Sequence, residues 1–267
     1  MKIAFIGAGN MATAIIKSIV NSGRMKPEDI LVYDKFIDKA ETLSTLGISV
    51  CYSLGDACNG AECILLAVKP QDYEELLVNI KNVTTSLESK LFISIAAAIS
   101  CSFICTKLGC DCPVIRVMPN TPLLLGVGAT AISRNDRVSD KLYSKICTLF
   151  ASSGTVCSLD ESLMNMVISV NSSSPVYLYM LAKAMTDKAI EYGISEKNAA
   201  ELVNQTLKGS VEMLIKSGKT PDELIRMVAS PGGTTLAAIS ALDGNNFSES
   251  VKLAMDACTD RANELSK

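Results

Sequence analysis

Residues 2–12 read KIAFIGAGNMA, an apolar run that passes directly into a glycine-rich turn. The run predicts a buried strand at Ile3–Ile6. The spacing of the apolar residues after the turn predicts a helix at Met11–Asn21. The pattern GxGxxG/A between a strand and a helix is typical of a dinucleotide-binding βαβ unit, so we predict such a site at the start of the chain.

Each small residue of this turn has a physical role in that prediction. Gly7 permits the tight turn, Gly9 lets the backbone approach a pyrophosphate, and Ala12 allows close packing of helix on strand. The phosphates would then bind the N–H groups at the helix N-terminus. Asp34 lies 22 residues after Ala12, at the distance expected of an acid that binds the ribose hydroxyls. We disfavour the alternative, a glycine-rich turn without a ligand.

The choice between NADH and NADPH stays open from the sequence. The Asp34 carboxylate favours NADH, because it would repel a 2′-phosphate. Lys35, the next residue, could instead pair with that phosphate.

Strands and helices alternate along the first 160 residues. The predicted strands are Ile3–Ile6, Ile30–Tyr33, Ile64–Ala67, Leu91–Ile95, Val114–Val117, Ala129–Ile132 and Thr155–Cys157; the predicted helices are Met11–Asn21, Ile37–Leu46, Tyr73–Ile80 and Asp140–Phe150. Alternation of this kind indicates βαβ units and a mainly parallel sheet. We therefore predict an α/β fold, with a Rossmann-type, doubly wound sheet in a dinucleotide-binding domain at residues 1–159.

Residues 160–267 have a different pattern of apolar residues, which predicts an all-helical domain. Apolar residues recur at helical spacing in two stripes, from Leu178 to Ala189 and from Ala199 to Leu214. We expect helix ends near three glycines and core packing for three methionines. The glycines are Gly193, Gly218 and Gly244, and the methionines are Met180, Met185 and Met213.

The composition excludes several kinds of function. The chain has no histidine, which rules out Ser-His-Asp triads and HExxH zinc sites. A net charge of −3 gives no attraction to nucleic acid. The uncharged stretch at residues 91–106 is shorter than a membrane-spanning helix. We expect a cytoplasmic protein with neither a nucleic-acid nor a membrane partner.

Ten cysteines raise the question of disulfides or a metal site. Most stand alone in apolar stretches, as reduced core cysteines do. One cluster, Cys101, Cys105, Cys110 and Cys112, lacks the CxxC pairs of common zinc sites. We therefore expect no metal.

A second unusual stretch, Ser230-Pro-Gly-Gly-Thr-Thr235, precedes an apolar helical run at Leu236–Leu242. We expect Ser230 to cap that helix and Pro231 to lie in its first turn. Two glycines in the first turn of a helix cost conformational entropy, so their presence needs a reason. One reason is that a ligand binds the N–H groups that the missing side chains leave exposed. A carboxylate substrate fits such a place, although an ordinary helix cap is almost as good an interpretation.

Together these motifs resemble the pyrroline-5-carboxylate reductase family over essentially the whole chain. The motifs are Phe5-Ile-Gly-Ala-Gly-Asn-Met11, Ala67-Val-Lys-Pro70, Ser94-Ile-Ala-Ala97, Arg116-Val-Met-Pro-Asn120, Ser173-Ser-Pro-Val-Tyr177 and Ser230–Thr235. The resemblance implies a Rossmann domain followed by a helical domain that forms a homodimer, often assembled further. It also implies hydride transfer from NADH or NADPH to the C=N carbon of 1-pyrroline-5-carboxylate, which gives L-proline.

The resemblance assigns residues to two sites. The cofactor residues are Ile6, Gly7, Ala8, Gly9, Asn10, Met11, Ala12, Ala67, Val68, Lys69, Pro70, Ala96, Ala97 and Ala98, to which the sequence pattern adds Asp34. Asn120 and Lys69 are included because both follow strands, although a turn residue and a surface lysine are the plain alternatives. The substrate residues are Glu161, Ser230, Gly232, Gly233, Thr234 and Thr235. The amides of the two glycines would hold the carboxylate, and the Thr235 hydroxyl would bond the ring nitrogen.

Three positions depart from the family pattern. Ser172 and Ala98 replace glycines, and Val176 replaces an alanine. The added bulk could alter substrate fit or turnover. Two alternatives therefore stay open: reduction of a related cyclic imine, such as the six-membered homologue, and a non-catalytic regulator that binds a dinucleotide.

Overall fold

The computed structural model describes residues 1–266, which form eight β-strands and eleven α-helices. The strands are β1 (Ile3–Ile6), β2 (Ile30–Tyr33), β3 (Ser49–Val50), β4 (Cys63–Leu66), β5 (Leu91–Ser94), β6 (Val114–Met118), β7 (Gly128–Arg134) and β8 (Gly154–Ser158). The helices are α1 (Asn10–Asn21), α2 (Ile37–Glu41), α3 (Leu54–Asn59), α4 (Tyr73–Val83), α5 (Cys101–Leu108), α6 (Asp140–Phe150), α7 (Pro175–Glu191), α8 (Glu196–Lys216), α9 (Pro221–Val228), α10 (Thr234–Gly244) and α11 (Phe247–Glu264).

The strands form one sheet in the order β3-β2-β1-β4-β5-β6-β7-β8. All neighbours are parallel except β6 and β7, which are antiparallel. The chain leaves β1 toward β2 on one side and later returns to β4 on the other, so the sheet reverses its order at β1. This confirms the predicted Rossmann-type α/β fold.

Both faces of the sheet are buried, which explains why its central strands are apolar at every position. Alternate side chains of β1 enter different cores: Ile3 and Phe5 pack with α1 and α6, whereas Ala4 and Ile6 pack with α3, α4 and α5. A third, smaller cluster contains Met164.

The helix predicted at Ile37–Leu46 is broken in two, and that prediction was wrong. The α-helix ends at Glu41, and a 3₁₀ turn occupies Ser44–Leu46. The Thr42 hydroxyl donates to the Lys39 carbonyl oxygen at 2.7 Å, a local bond that competes with helix continuation. The short elements β3, α3 and α5 were not predicted, because so few residues carry little periodic signal.

Contacts divide the chain into two compact units. One contains residues 1–173 and the C-terminal residues from Cys258 onward, and the other contains residues 174–257. The boundary predicted at residues 159/160, from the change from a strand-rich to a helical sequence pattern, stays a prediction.

The second unit consists of α7, α8, α9, α10 and the beginning of α11. The two predicted stripes lie on α7 and α8, and Gly193 and Gly218 follow these helices with φ of +88° and +69°. The third glycine, Gly244, is the last residue of α10.

The prediction that three methionines pack in a core is wrong for the single chain. Met180, Met185 and Met213 are 67%, 37% and 41% exposed. The helices of this unit do not cover the apolar faces on which these side chains lie. Within residues 1–266, no helix is long and apolar enough to cross a membrane.

Candidate functional site

A cleft of about 510 Å³ opens at the carboxyl ends of β1, β2 and β4. The sheet register aligns Ile6 with Tyr33 and with Leu66, so the loops after these three strands meet at one edge. This is the reversal point of strand order, where open α/β sheets bind ligands. The lining includes Ile6, Gly7, Gly9, Tyr33, Asp34, Lys35, Phe36, Lys39, Leu54, Ala67, Val68 and Lys69.

The glycine-rich turn forms one wall of this cleft. Gly7 has φ of +109°, and a Cβ there would lie 2.9 Å from the Ala67 carbonyl oxygen. A Cβ on Gly9 would meet no atom within 4 Å. Gly9 is the N-cap of α1 and has no side-chain cap, so the helix N–H groups face the open side that Gly9 leaves. These features fit a dinucleotide pyrophosphate.

Asp34 is fixed against the same turn. Its Oδ2 accepts the Ala8 N–H at 2.8 Å, and its Oδ1 accepts the Phe36 N–H at 2.8 Å. Of the other residues predicted to bind the cofactor, Ala12 is buried and serves helix packing. The residues Tyr33, Phe36, Lys39 and Leu54 were not predicted, because only the tertiary structure brings them to the cleft.

The carboxyl ends of β4 and β5 are joined by a buried tyrosine. The Tyr73 hydroxyl donates to the Leu66 carbonyl oxygen at 2.9 Å and lies 2.9 Å from Ser94 Oγ. Burial raises the pKa of Tyr73 above its usual value, so the hydroxyl stays protonated and keeps its bond. Tyr73 thereby fixes the starting points of two predicted cofactor segments, Ala67–Pro70 and Ala96–Ala98.

Ala98 has a left-handed backbone, with φ of +62°, and is 2% exposed. This is a conformation that glycine adopts without strain and alanine does not. The glycine of the family pattern at this position suits that conformation. Ala96, Ala97 and Ala98 follow β5 and are outside the lining of the cleft.

Asn120 follows β6 and has both polar side-chain atoms engaged. Its Oδ1 accepts the Ala129 N–H at 2.9 Å, and its Nδ2 donates to the Asn171 carbonyl oxygen at 3.1 Å. Asn171 in turn donates to the Met118 and Ala129 carbonyl oxygens, each at 2.8 Å. These bonds give Asn120 a structural role; a contact with the cofactor stays a prediction.

Ser172 lies beside this asparagine pair, in a π-helical turn at Ile168–Ser172. Its hydroxyl donates to the Pro119 carbonyl oxygen at 3.1 Å. The hydroxyl that replaces the expected glycine is therefore satisfied by the loop that follows β6. Turns of this type are frequent at functional sites. Val176 is on α7 and 48% exposed.

Glu161 holds two elements of the first unit together. Its Oε1 accepts the Cys101 N–H at 2.7 Å, at the start of α5, and lies 3.3 Å from Arg116 Nη1 on β6. The Arg116 side chain is 5% exposed and that of Glu161 is 33% exposed. The carboxylate is thus occupied by an ion pair, and its predicted substrate contact is not tested by this geometry.

The Ser230–Thr235 stretch forms a turn before α10, and the expected capping was wrong. Gly233, not Ser230, is the N-cap of α10, which begins at Thr234 without a side-chain cap. Pro231 therefore lies before the helix. The Ser230 carbonyl oxygen accepts the Gly233 N–H at 3.0 Å, and Gly232 has φ of +72°. Glycine suits the positive φ at residue 232, and a Cβ on Gly233 would lie 2.5 Å from Ser230 Oγ.

The turn leaves polar groups accessible at the N-terminus of α10. Thr235 is half-buried, and Ser230, Gly232 and Thr234 are exposed. A Cβ on Gly232 would meet no atom within 4 Å. Such a helix start, uncapped and without side chains in front of it, can bind an anion.

The Rossmann sheet, the glycine-rich turn and the acid after β2 define a dinucleotide-dependent oxidoreductase. Comparisons with known proteins narrow this class. Residues 161–265 match a family described as pyrroline-5-carboxylate reductase dimerisation. Residues 2–98 match one described as NADP oxidoreductase coenzyme F420-dependent.

Relatives are similar over the full length. The pyrroline-5-carboxylate reductase of Escherichia coli (strain K12) is 35% identical over 268 residues, which cover 100% of this chain and 98% of that protein. That of Mycobacterium tuberculosis (strain CDC 1551 / Oshkosh) is 30% identical, with 99% and 96% covered. The chain belongs to the pyrroline-5-carboxylate reductase family.

Solved structures of this family are similar to the fold of this chain. A pyrroline-5-carboxylate reductase from Coxiella burnetii has a TM-score of 0.91 at 29% identity, covering 100% of this chain and 98% of that one. The Plasmodium falciparum pyrroline carboxylate reductase with NADP bound has a TM-score of 0.91 at 28% identity, with the same coverage.

Proposed function

We propose that this chain reduces 1-pyrroline-5-carboxylate to L-proline with NADH or NADPH. Two features of this one chain carry the proposal: a cleft that fits a dinucleotide, and an uncapped helix N-terminus behind a double-glycine turn. The first suits the coenzyme, and the second suits a small carboxylate. A nicotinamide coenzyme, when bound, would supply a hydride to the C=N carbon, and the ring nitrogen would carry the proton that completes the reduction.

The residues of the chain bind and orient the reactants. We propose that the N–H groups at the start of α10 hold the substrate carboxylate, with the exposed Gly232 backbone as a donor. The Gly233 N–H is already used by the Ser230 carbonyl oxygen, so it would be shared. The Thr235 hydroxyl would bond the ring nitrogen. Because the chain has no histidine, this catalysis relies on positioning rather than on an imidazole acid.

We propose a homodimer in which the helical unit of one copy covers that of another. The region from residue 161 to residue 265 matches a dimerisation model, and α7 buries none of its own side chains. We place the protein in the cytoplasm, since ten free thiols suit a reducing compartment.

The test follows the loss of NADH and NADPH absorbance with pyrroline-5-carboxylate. We compare the wild type, Thr235→Ala and a matched control, Ser240→Ala, which removes an exposed hydroxyl from the same helix. We expect reduction by the wild type and by the control. Thr235→Ala should lose about 10- to 100-fold in kcat/KM, the size expected for one hydrogen bond to a developing charge.

Two results would contradict the proposal. Folded wild-type protein that binds NADH or NADPH but does not oxidise it in the presence of pyrroline-5-carboxylate would contradict the proposed reaction. Equal losses in Thr235→Ala and Ser240→Ala would remove the role given to Thr235.

A further inference from the structure

One acidic side chain in the wall of the cleft bears on the choice between NADH and NADPH. Asp34 follows β2 and is half-buried in the cleft wall. The N–H groups of Ala8 and Phe36 each hold one of its oxygens at 2.8 Å. The two bonds therefore hold the carboxylate beside the glycine-rich turn.

Both oxygens still have acceptor capacity. A carboxylate oxygen has two lone pairs, and each Asp34 oxygen uses one for a backbone N–H. The remaining ones can accept the two hydroxyls of an adenosine ribose, which is the role of an acid at this place in the fold. A ribose 2′-phosphate has no hydroxyl to donate there and would bring a second anion close to the first.

Two nearby lysines would instead favour NADPH, because their positive charges attract a 2′-phosphate. Lys35 and Lys39 line the same cleft, and their Nζ atoms lie 5.4 and 4.9 Å from the centre of the Phe36 ring. Within residues 1–266, no ion pair joins either lysine to Asp34. Both lysines are exposed, so solvent and salt screen their attraction for a phosphate.

We propose that Asp34 makes this protein select NADH over NADPH, by accepting the ribose hydroxyls and repelling the 2′-phosphate. The carboxylate outweighs the lysines because it is partly shielded from water and held by two hydrogen bonds, whereas the lysines are exposed and their charges are screened by solvent and salt. This inference extends the proposed function. It rests on that function in one respect only, namely that a dinucleotide occupies the cleft.

The experiment measures binding of NAD⁺ and NADP⁺ by titration calorimetry, without the imine substrate. We compare the full-length wild type with Asp34→Ser. The matched control is Asp38→Ser, which removes the same charge from an exposed position on α2 outside the lining of the cleft. We expect the wild type to bind NAD⁺ at least about tenfold more tightly than NADP⁺. Asp34→Ser should shift that ratio toward NADP⁺ by about tenfold or more, and Asp38→Ser should leave it unchanged.

Wild-type protein that binds NADP⁺ as tightly as NAD⁺ would overturn the proposal, whatever the variants do. An unchanged ratio in a folded Asp34→Ser variant would overturn it as well. A Lys35→Ala, Lys39→Ala double variant gives a separate check: it should weaken NADP⁺ binding without removing the NAD⁺ preference. Because no imine is present, these results do not depend on the reductase reaction. Binding of neither dinucleotide would overturn both proposals, whereas binding without turnover would overturn the reaction alone.

Discussion

The two units of the chain bury their apolar side chains to very different extents. In the first unit, Ile3, Phe5, Ile64 and Phe92 are completely buried within the sheet. In the second, α7 buries none of its residues, and α8 buries only Ala199 and Val203. Burial of apolar area is the main favourable term in folding. The first unit therefore supplies its own core, whereas the second needs another surface to cover its helices.

The largest expected effect tests whether the exposed helices of the second unit are covered by another surface. Leu178 and Leu181 lie on one stripe of α7 and are 50% and 37% exposed. We expect Leu178→Glu with Leu181→Glu to weaken the proposed dimer by at least about 100-fold, because two carboxylates would be buried in its interface without partners. Light scattering on a gel-filtration column, over a range of protein concentrations, measures the mass.

The control for this experiment is Lys183→Glu, which places the same side chain on α7 outside the stripe. It should keep the mass of the wild type. A double variant that remains as dimeric as the control would show that this stripe is not the covered surface.

The next prediction concerns the first unit and compares its two turn glycines. Gly7→Ala should cost about 2–4 kcal/mol of unfolding free energy, because the backbone is left-handed and the Cβ would approach the Ala67 carbonyl group. Gly9→Ala should cost less than about 1 kcal/mol, since the space around it is open, yet it should weaken dinucleotide binding. Urea unfolding and calorimetric titration measure the two quantities. If Gly9→Ala binds NAD⁺ and NADP⁺ like the wild type, the pyrophosphate does not pass over Gly9.

The smallest effect concerns a residue at which the well-packed unit is itself strained. Ala98→Gly should stabilise the protein by about 0.5–1 kcal/mol, since relief of the left-handed alanine exceeds the added chain entropy. The matched control, Ala96→Gly, removes a buried methyl group at a position without positive φ. It should destabilise by about 1 kcal/mol. Thermal unfolding ranks the three proteins, and equal losses in both variants would argue against strain at Ala98.

Much of the sheet could be predicted from the sequence because its signals are local. β1 and β2 begin and end where the apolar runs predict, and α6 has the predicted bounds. The glycine turn and Asp34 were found in the same way, by pattern and spacing. The assignment of Ser230–Thr235 to a substrate came from the resemblance to a family, and the local expectation for Ser230 as a cap was wrong.

The sequence by itself determined the fold class, the place of the dinucleotide turn and the change to helices after residue 160. Only the tertiary structure decided which side chains are partners. Glu161 meets Cys101 across 60 residues, and Asn120 meets Asn171 across 51; no local periodicity encodes such pairs. Only the tertiary structure, too, left the α7 stripe largely exposed and the α8 stripe only partly buried. An apolar stripe shows that a helix face must be covered, whereas the packing of whole elements decides whether the same chain covers it.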